Sequence, residues 1–240
     1  MPGIQVRPSA PMRDFVMFGQ SQFFGDYVDL IHAAGGRLSR VVLNADEVTQ
    51  PRRKTFADRL REYHVFLRQI GIQGQVDVVR IDEFRARDGE AYVYGFRNPV
   101  GLARLRDSLW DEHRIRFSTL VHPAAYVSPT TVLGEGVVVL HGAQVASFCR
   151  VEDLVLINKG AVVGHDVRIG IQAEIGPGAA LASGTIVGPR VRIGIGASVI
   201  ENLVLGEDCM VAAGAAVIHD VEPKTLVAGV PAVVKKRLGG

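Results

Sequence analysis

Residues 151–184 of the chain read VEDLVLINKGAVVGHDVRIGIQAEIGPGAALASG, and every sixth residue from Val151 to Leu181 is valine, leucine or isoleucine. The same register extends in both directions without an insertion, from Val121 to Val217, and gives seventeen aliphatic positions in succession. The residue four places after each of them is small or apolar. A period of six fits neither a helix nor an isolated strand, and it is typical of a β-helix.

Each hexad of such a β-helix supplies one short strand and one corner, so three hexads close a triangular coil. The aliphatic residue points inward, and successive coils stack about 4.8 Å apart. Glycine directly follows the aliphatic residue in several hexads, for example at Gly164 and Gly194, where we expect a turn that requires a permissive backbone. Cys149 and Cys209 both take the small inward position, which predicts that they are core residues.

The composition indicates a globular protein with two different halves. The chain has 240 residues, 27 Lys and Arg against 25 Asp and Glu, and 48% hydrophobic residues, which excludes a disordered chain. Residues 121–240 hold 17 of the 27 glycines but only two aromatic residues. Neither half has the concentrated positive charge of a nucleic-acid-binding protein, and no apolar run is long enough to span a membrane. We therefore expect a cytoplasmic protein with domains at 1–118 and 119–222 and a C-terminal cap at 223–240.

The first half has the pattern of a small α/β domain. A buried strand at 15–19, a helix at 25–34 and a second strand at 38–43 form a β-loop-α-β unit. Further along, the sequence predicts an amphipathic helix at 54–70, strands at 76–81 and 91–94, and a last helix at 99–112. This order indicates a Rossmann-like domain with a small parallel sheet.

The repeats resemble those of the left-handed β-helix acyltransferases. The segment Ile157–Gly170, INKGAVVGHDVRIG, and the ending Val217–Ala232, VIHDVEPKTLVAGVPA, resemble the bacterial sugar acetyltransferases, which include sialic acid O-acetyltransferase and the nucleotide-linked amino-sugar N-acetyltransferases. The resemblance implies a left-handed β-helix, a nucleotide-binding α/β domain before it, acetyl-CoA as co-substrate without a metal, and a homotrimer.

The resemblance also implies a catalytic group. His165 occupies an outward corner position, with Ser147 and Ser183 one coil away on either side, and it is the expected general base for direct transfer from a thioester. Asp166 is expected to orient the imidazole or to favour the imidazolium that forms during attack, and Asn158 to position the substrate or the base. Where the family commonly has a second histidine, nine residues after the first, this sequence has Glu174, which we expect to contact the acceptor or to hold His165.

Binding residues follow from the same resemblance. The donor coenzyme A is expected to lie in a groove between adjacent β-helices. Its matching contacts are Ser183, Ile195 and Ala213, with Lys235 and Lys236 at its phosphates, although a basic C-terminus is as often merely solubilising. For the nucleotide sugar the matching positions are Gln20 and Ser21 in the loop after the first strand, and Asn44 and Asp46 after the second. A generic turn explains the last two equally well.

The leading hypothesis is an acetyl-CoA-dependent N-acetyltransferase for the amino group of a nucleotide-linked sugar, in surface-glycan biosynthesis. One alternative is O-acetylation of a sugar or sialic-acid-like hydroxyl, which needs the same base. A second is a zinc hydro-lyase resembling the γ-type carbonic anhydrases, but His122, His141, His165 and His219 include no pair close in sequence. A third is a non-catalytic β-helix scaffold.

Overall fold

The structure is a computed structural model that describes residues 12–19, 23–43, 53–95, 109 and 115–239. The chain divides into two compact units, Met1–Phe117 and Ser118–Gly240. The expectation that residues 223–240 form a cap distinct from the β-helix stays a prediction.

The first unit is built on a four-stranded parallel sheet with two helices. Its strand order is β3-β2-β1-β4. The elements follow the predicted order closely. The exception is the helix expected at 99–112, which lies outside the described residues except for Leu109, a buried residue. Their bounds are β1 Arg13–Phe18, α1 Phe24–Ala33, β2 Gly36–Leu43, α2 Phe56–Gln69, β3 Asp77–Arg80, a 3-10 turn at Ile81–Glu83, and β4 Ala91–Tyr94.

Local sequence signals explain the two helices. In α1 the buried residues are Phe24, Tyr27, Leu30 and Ile31, which recur with helical spacing and form one apolar face. Helix α2 begins with a capping box at Thr55–Asp58, in which the Thr55 side chain accepts a hydrogen bond from the Asp58 amide at 3.1 Å and the Asp58 carboxylate accepts from the Thr55 amide at 3.0 Å. These bonds satisfy amides that the first turn leaves without partners.

The second unit contains seventeen two-residue strands that begin six residues apart and wind through three parallel sheets. We call the sheets face 1 (β5, β8, β11, β14, β17, β20), face 2 (β6, β9, β12, β15, β18, β21) and face 3 (β7, β10, β13, β16, β19). The strands are β5 Leu120–Val121, β6 Tyr126–Val127, β7 Val132–Leu133, β8 Val138–Val139, β9 Gln144–Val145, β10 Arg150–Val151, β11 Leu156–Ile157, β12 Val162–Val163, β13 Arg168–Ile169, β14 Glu174–Ile175, β15 Ala180–Leu181, β16 Ile186–Val187, β17 Arg192–Ile193, β18 Ser198–Val199, β19 Val204–Leu205, β20 Met210–Val211 and β21 Ala216–Val217.

The core of the β-helix is the predicted aliphatic column. All fourteen of its members from Val139 to Val217 are buried in one hydrophobic cluster, while the three in the first coil are partly buried. Cys149 and Cys209 lie in the same cluster, which confirms their packing role. Because each strand pairs with the strand eighteen residues away, side chains at the same place in successive coils form columns. These columns position the functional groups.

The glycines after the aliphatic residues have a different purpose from the one expected. The left-handed backbone conformation falls instead three residues after the aliphatic position, at every corner from 136 to 214, where seven of fourteen residues are not glycine. At Gly164 and Gly194, an added Cβ would lie 2.7 Å from the Ser183 nitrogen and 2.6 Å from the Ala213 nitrogen of the next coil. Close stacking of the coils, not a permissive turn, requires glycine there.

Two longer strands follow the last hexad. Strand β22, Thr225–Ala228, pairs in parallel with β20 and extends face 1. Strand β23, Val233–Arg237, pairs with β22 in the antiparallel direction and ends that sheet. Neither helix among the described residues has the length and apolar character needed to span a bilayer.

Candidate active site

His165 and Asp166 form a corner between face 2 and face 3, after β12 and before β13. We call this edge of the prism the 2–3 corner. The Asp166 amide donates to the Ser147 carbonyl at 3.0 Å, and the Gly184 amide donates to the His165 carbonyl at 3.0 Å. These bonds hold the corner between its neighbours in the coils before and after, and they confirm the predicted stacking of serines around the histidine.

The two side chains at this corner form a hydrogen-bonded pair. His165 Nδ1 lies 2.7 Å from Asp166 Oδ2, and both side chains are 61% exposed. Because a carboxylate only accepts, Nδ1 carries the proton in this bond and Nε2 keeps its lone pair in the neutral imidazole. Asp166 has a φ of 60°, a conformation that aspartate tolerates better than most residues. The corner thus presents an imidazole whose tautomer is set by its sequence neighbour.

Asn158 is separate from this pair. It follows β11 on the edge between face 1 and face 2, the 1–2 corner, and its side chain is fully buried. Its Oδ1 accepts from the Lys159 amide at 2.8 Å, and its Nδ2 has no hydrogen-bond partner among the described residues. No hydrogen bond links it to His165 within the described chain, and its expected role in positioning the substrate or the base stays a prediction.

Glu174 does not hold the base within one chain. It lies in β14 on face 1, partly buried, between Leu156 and Arg192 of the neighbouring strands. His165, in contrast, extends from the 2–3 corner and contacts its own neighbour Asp166. The expectation that Glu174 contacts the acceptor stays a prediction.

The residues expected to bind the donor lie in three places. Ser183 is on the 2–3 corner one coil after His165. Ile195 and Ala213 are on the 1–2 corner in successive coils, and the side chain of Ile195 is 60% exposed. Lys235 and Lys236 are exposed on β23. The predicted acceptor residues Gln20, Ser21, Asn44 and Asp46 all lie outside the described residues.

Two histidines that are far apart in sequence meet on the surface. The centres of the His122 and His141 rings are 5.7 Å apart, in an edge-to-face arrangement. The two residues are nineteen positions apart, and since one coil has eighteen residues, His141 lies one coil further along and one residue beyond His122. The two residues are far apart in sequence, as stated above, but the coil brings their rings together in space. Among the described residues, however, no group of three potential ligands is placed to hold a metal ion.

Solved structures resemble almost the whole chain. A histidine-to-asparagine variant of perosamine N-acetyltransferase from Caulobacter crescentus, in complex with CoA and GDP-perosamine, is 30% identical over 93% of this chain and 97% of its own, with a TM-score of 0.68. The chain belongs to the hexapeptide-repeat nucleotide-sugar N-acetyltransferase family. PerB from the same organism, with the same two ligands, is 29% identical over the same shares, with a TM-score of 0.71.

A third solved structure shares the fold at lower identity. The acetyltransferase domain of PglB from Neisseria gonorrhoeae FA1090 is 23% identical over 92% of this chain and 99% of its own, with a TM-score of 0.74. No protein-family model and no curated protein matches the chain.

Three residues near the pair were not anticipated from the sequence. Phe148 precedes Asp166 by one coil on the 2–3 corner, and its side chain is 64% exposed. Arg150 and Arg168 face each other in register on β10 and β13, two residues past those corners. The signal that could have found them is the eighteen-residue spacing, which places 148 beside 166 and 150 beside 168.

Proposed function

We propose that the protein is an acetyl-CoA-dependent N-acetyltransferase for the amino group of a nucleotide-linked amino sugar, with His165 as general base. The observation that carries the proposal is the exposed His165–Asp166 pair on the β-helix of a chain that resembles perosamine N-acetyltransferase over almost its whole length. An uncharged imidazole nitrogen on an accessible corner is the group that such a transfer requires.

The proposed reaction is direct transfer. The sugar amine attacks the thioester carbonyl carbon while Nε2 of His165 takes a proton from the amine, so the C–N bond forms and the C–S bond breaks. The imidazolium then protonates the departing thiolate, which leaves as coenzyme A. Asp166 contributes by fixing the tautomer and by stabilising the transient positive charge on the ring, although solvent weakens this effect at a 61% exposed pair.

The donor and the assembly belong to the same proposal. We place coenzyme A along Ser183, Ile195 and Ala213, with its phosphates at Lys235 and Lys236, in a groove between two copies of the β-helix. The division of these residues between two different corners supports an arrangement in which adjacent copies share one donor, as expected for a homotrimer. Light scattering with and without coenzyme A tests the assembly.

The decisive assay measures thiol release from acetyl-CoA with a panel of nucleotide-linked amino sugars that includes GDP-perosamine. We expect turnover with at least one of them and a loss of about 10²- to 10⁴-fold in kcat for His165→Ala. Mass spectrometry of the product then shows which atom carries the acetyl group. Acetylation of a hydroxyl, or full activity of the variant, would contradict the proposal.

The chain provides a matched control for this substitution. His219 and Asp220 repeat the His-Asp sequence at the same corner position, 54 residues or three coils later. There the Asp220 carboxylate accepts a hydrogen bond from the Val204 amide at 2.8 Å. We expect His219→Ala to keep wild-type activity, because the reaction needs the histidine at one particular coil and not a histidine on this edge in general.

A further inference from the structure

Phe148 is an exposed aromatic residue one coil before the proposed base. Its side chain is 64% exposed, and its amide donates to the Thr130 hydroxyl of the preceding coil at 3.0 Å. Residues 121–240 contain only one other aromatic residue, Tyr126. The core of the β-helix is an aliphatic column, and at this exposure the phenyl ring lies outside it. Packing within this chain therefore gives no reason for an aromatic residue at this corner.

The bulk of Phe148 is unusual for its place in the coil. At intervals of eighteen residues, the same column of the 2–3 corner reads Thr130, Phe148, Asp166, Gly184 and Asn202. Position 148, directly before Asp166, has the one large apolar side chain of this set. Directly after Asp166 the column has Gly184, without a side chain. Apolar bulk is thus present on one side of the His165–Asp166 pair and missing on the other.

The residues assigned to the donor lie in order along the stack of coils. Ser183 is one coil after His165, and Ile195 and Ala213 follow in the next two coils. The two lysines assigned to the phosphates lie on β23, which pairs with β22 beyond the last strand of face 1. A donor bound in this order has its phosphates toward the C-terminal end of the stack and its thioester at His165.

This direction determines where the acyl chain must go. The sulfur and the acyl chain are on opposite sides of the thioester carbonyl, so the chain extends away from the phosphates and past His165. The next residues in that direction are those of the preceding coil, Ser147 and Phe148. Because neighbouring coils are about 4.8 Å apart, the methyl group of an acetyl thioester fits before the ring is reached. A longer chain would meet it.

We propose that Phe148 closes the far end of the acyl pocket and restricts the donor to acetyl-CoA and acyl thioesters of similar length. A phenyl ring suits this purpose, because it is apolar, rigid and large enough to occupy the path of a longer chain. This inference rests on the proposed function, because it takes His165 as the base and the same positions for the donor. It adds the residue that selects the acyl group.

Calorimetric titration with acetyl-CoA and with butyryl-CoA tests the ring without any turnover. We expect the wild type to bind butyryl-CoA at least about tenfold more weakly than acetyl-CoA, and Phe148→Gly to bind the two within about threefold of each other. Glycine accepts the left-handed backbone of this corner, so the variant should remain folded. Equal affinities in the wild type, an unchanged ratio in the variant, or no binding of either donor would overturn the proposal.

Tyr126 provides the matched control. Its side chain is 59% exposed, and it lies in β6 on face 2, two coils before β12 and away from the 2–3 corner. We expect Tyr126→Ala to keep the wild-type preference for acetyl-CoA. Phe148→Leu, which keeps a large apolar side chain, should keep most of that preference. If Tyr126→Ala relaxes the preference as much as Phe148→Gly does, a general loosening of the early coils explains the result and the proposal fails.

Steady-state kinetics separate this inference from the proposed function. With a nucleotide-linked amino sugar as acceptor, Phe148→Gly should raise the ratio of kcat/KM for butyryl-CoA to kcat/KM for acetyl-CoA by about tenfold or more. If amino sugars are acetylated but this ratio is the same in both proteins, the proposed function stands and the acyl pocket fails. If the binding preference depends on Phe148 but no amino sugar is acetylated, the acyl pocket stands and the proposed function fails.

Discussion

Replacing Gly194 by alanine should damage the β-helix far more than replacing Gly196, although the two residues are neighbours on one corner. A Cβ on Gly194 would lie 2.6 Å from the Ala213 nitrogen, 2.8 Å from the Ala212 carbonyl carbon and 2.8 Å from the Val211 oxygen. All three are backbone atoms of the next coil, which cannot move without breaking hydrogen bonds. A Cβ on Gly196 would meet nothing within 4 Å, but its φ of +64° is strained for alanine.

These contacts set the expected magnitudes. Gly194→Ala forces two coils apart, and we expect it to lower the free energy of unfolding by about 3 kcal/mol or more, in the upper range of overpacking. Gly196→Ala should cost only about 1 kcal/mol, the penalty for alanine in the left-handed region.

Urea unfolding of both variants, followed by circular dichroism, measures the difference. Equal losses, or a larger loss for Gly196→Ala, would refute the conclusion that stacking distance and not turn conformation selects glycine after the aliphatic residue.

Three further results are expected. Asp166→Asn should lower kcat by only about tenfold, much less than His165→Ala, because the pair is largely exposed. Equal losses of kcat for the two variants in the thiol-release assay would show a larger role for the negative charge of Asp166. Both cysteines are buried, and burial raises the pKa of Cys209 to about 12. Neither cysteine should therefore react with maleimide at pH 8 in the native protein, whereas both should react in urea. Mass spectrometry counts the labelled cysteines in each case. A hydrogen bond from Arg190 lowers the pKa of Asp208 below its ordinary 3.8. This pair therefore stabilises the fold above that pH and loses its contribution as the pH falls. In a plot of Tm against pH, Asp208→Asn should make the decrease in Tm at acid pH less steep.

The β-helix was predictable because its repeat is a direct consequence of geometry. A coil of three equal sides leaves one inward aliphatic position per side, so the period of six appears in the sequence without a gap. The same period places Ser147, His165 and Ser183 in one column. The reason for the glycines was not predictable, because left-handed conformation and close approach both favour glycine, and only the structure shows which constraint applies at Gly164.

The candidate site was predictable in part. The His165–Asp166 contact follows from their adjacency at a corner, whereas the burial of Asn158 depends on packing that the repeat alone does not specify. Arg150 and Arg168 looked like ordinary outward residues, since a charge becomes informative only when its neighbours across the sheet are known. Residues beyond the repeat lack such a rule. The elements of the 1–118 half were therefore predicted from their patterns, whereas its binding residues came only from the resemblance.

The last strand determines how far the stack of coils can extend. A parallel β-helix ends in open backbone groups that would accept a strand from another chain, in the way that amyloid fibrils grow. Strand β23 closes the edge of face 1 in the antiparallel direction, and all five of its residues are exposed. Lys235 and Lys236 make two such edges repel each other. We therefore expect this strand to hinder continuation of the parallel stack along face 1, whatever else its lysines bind.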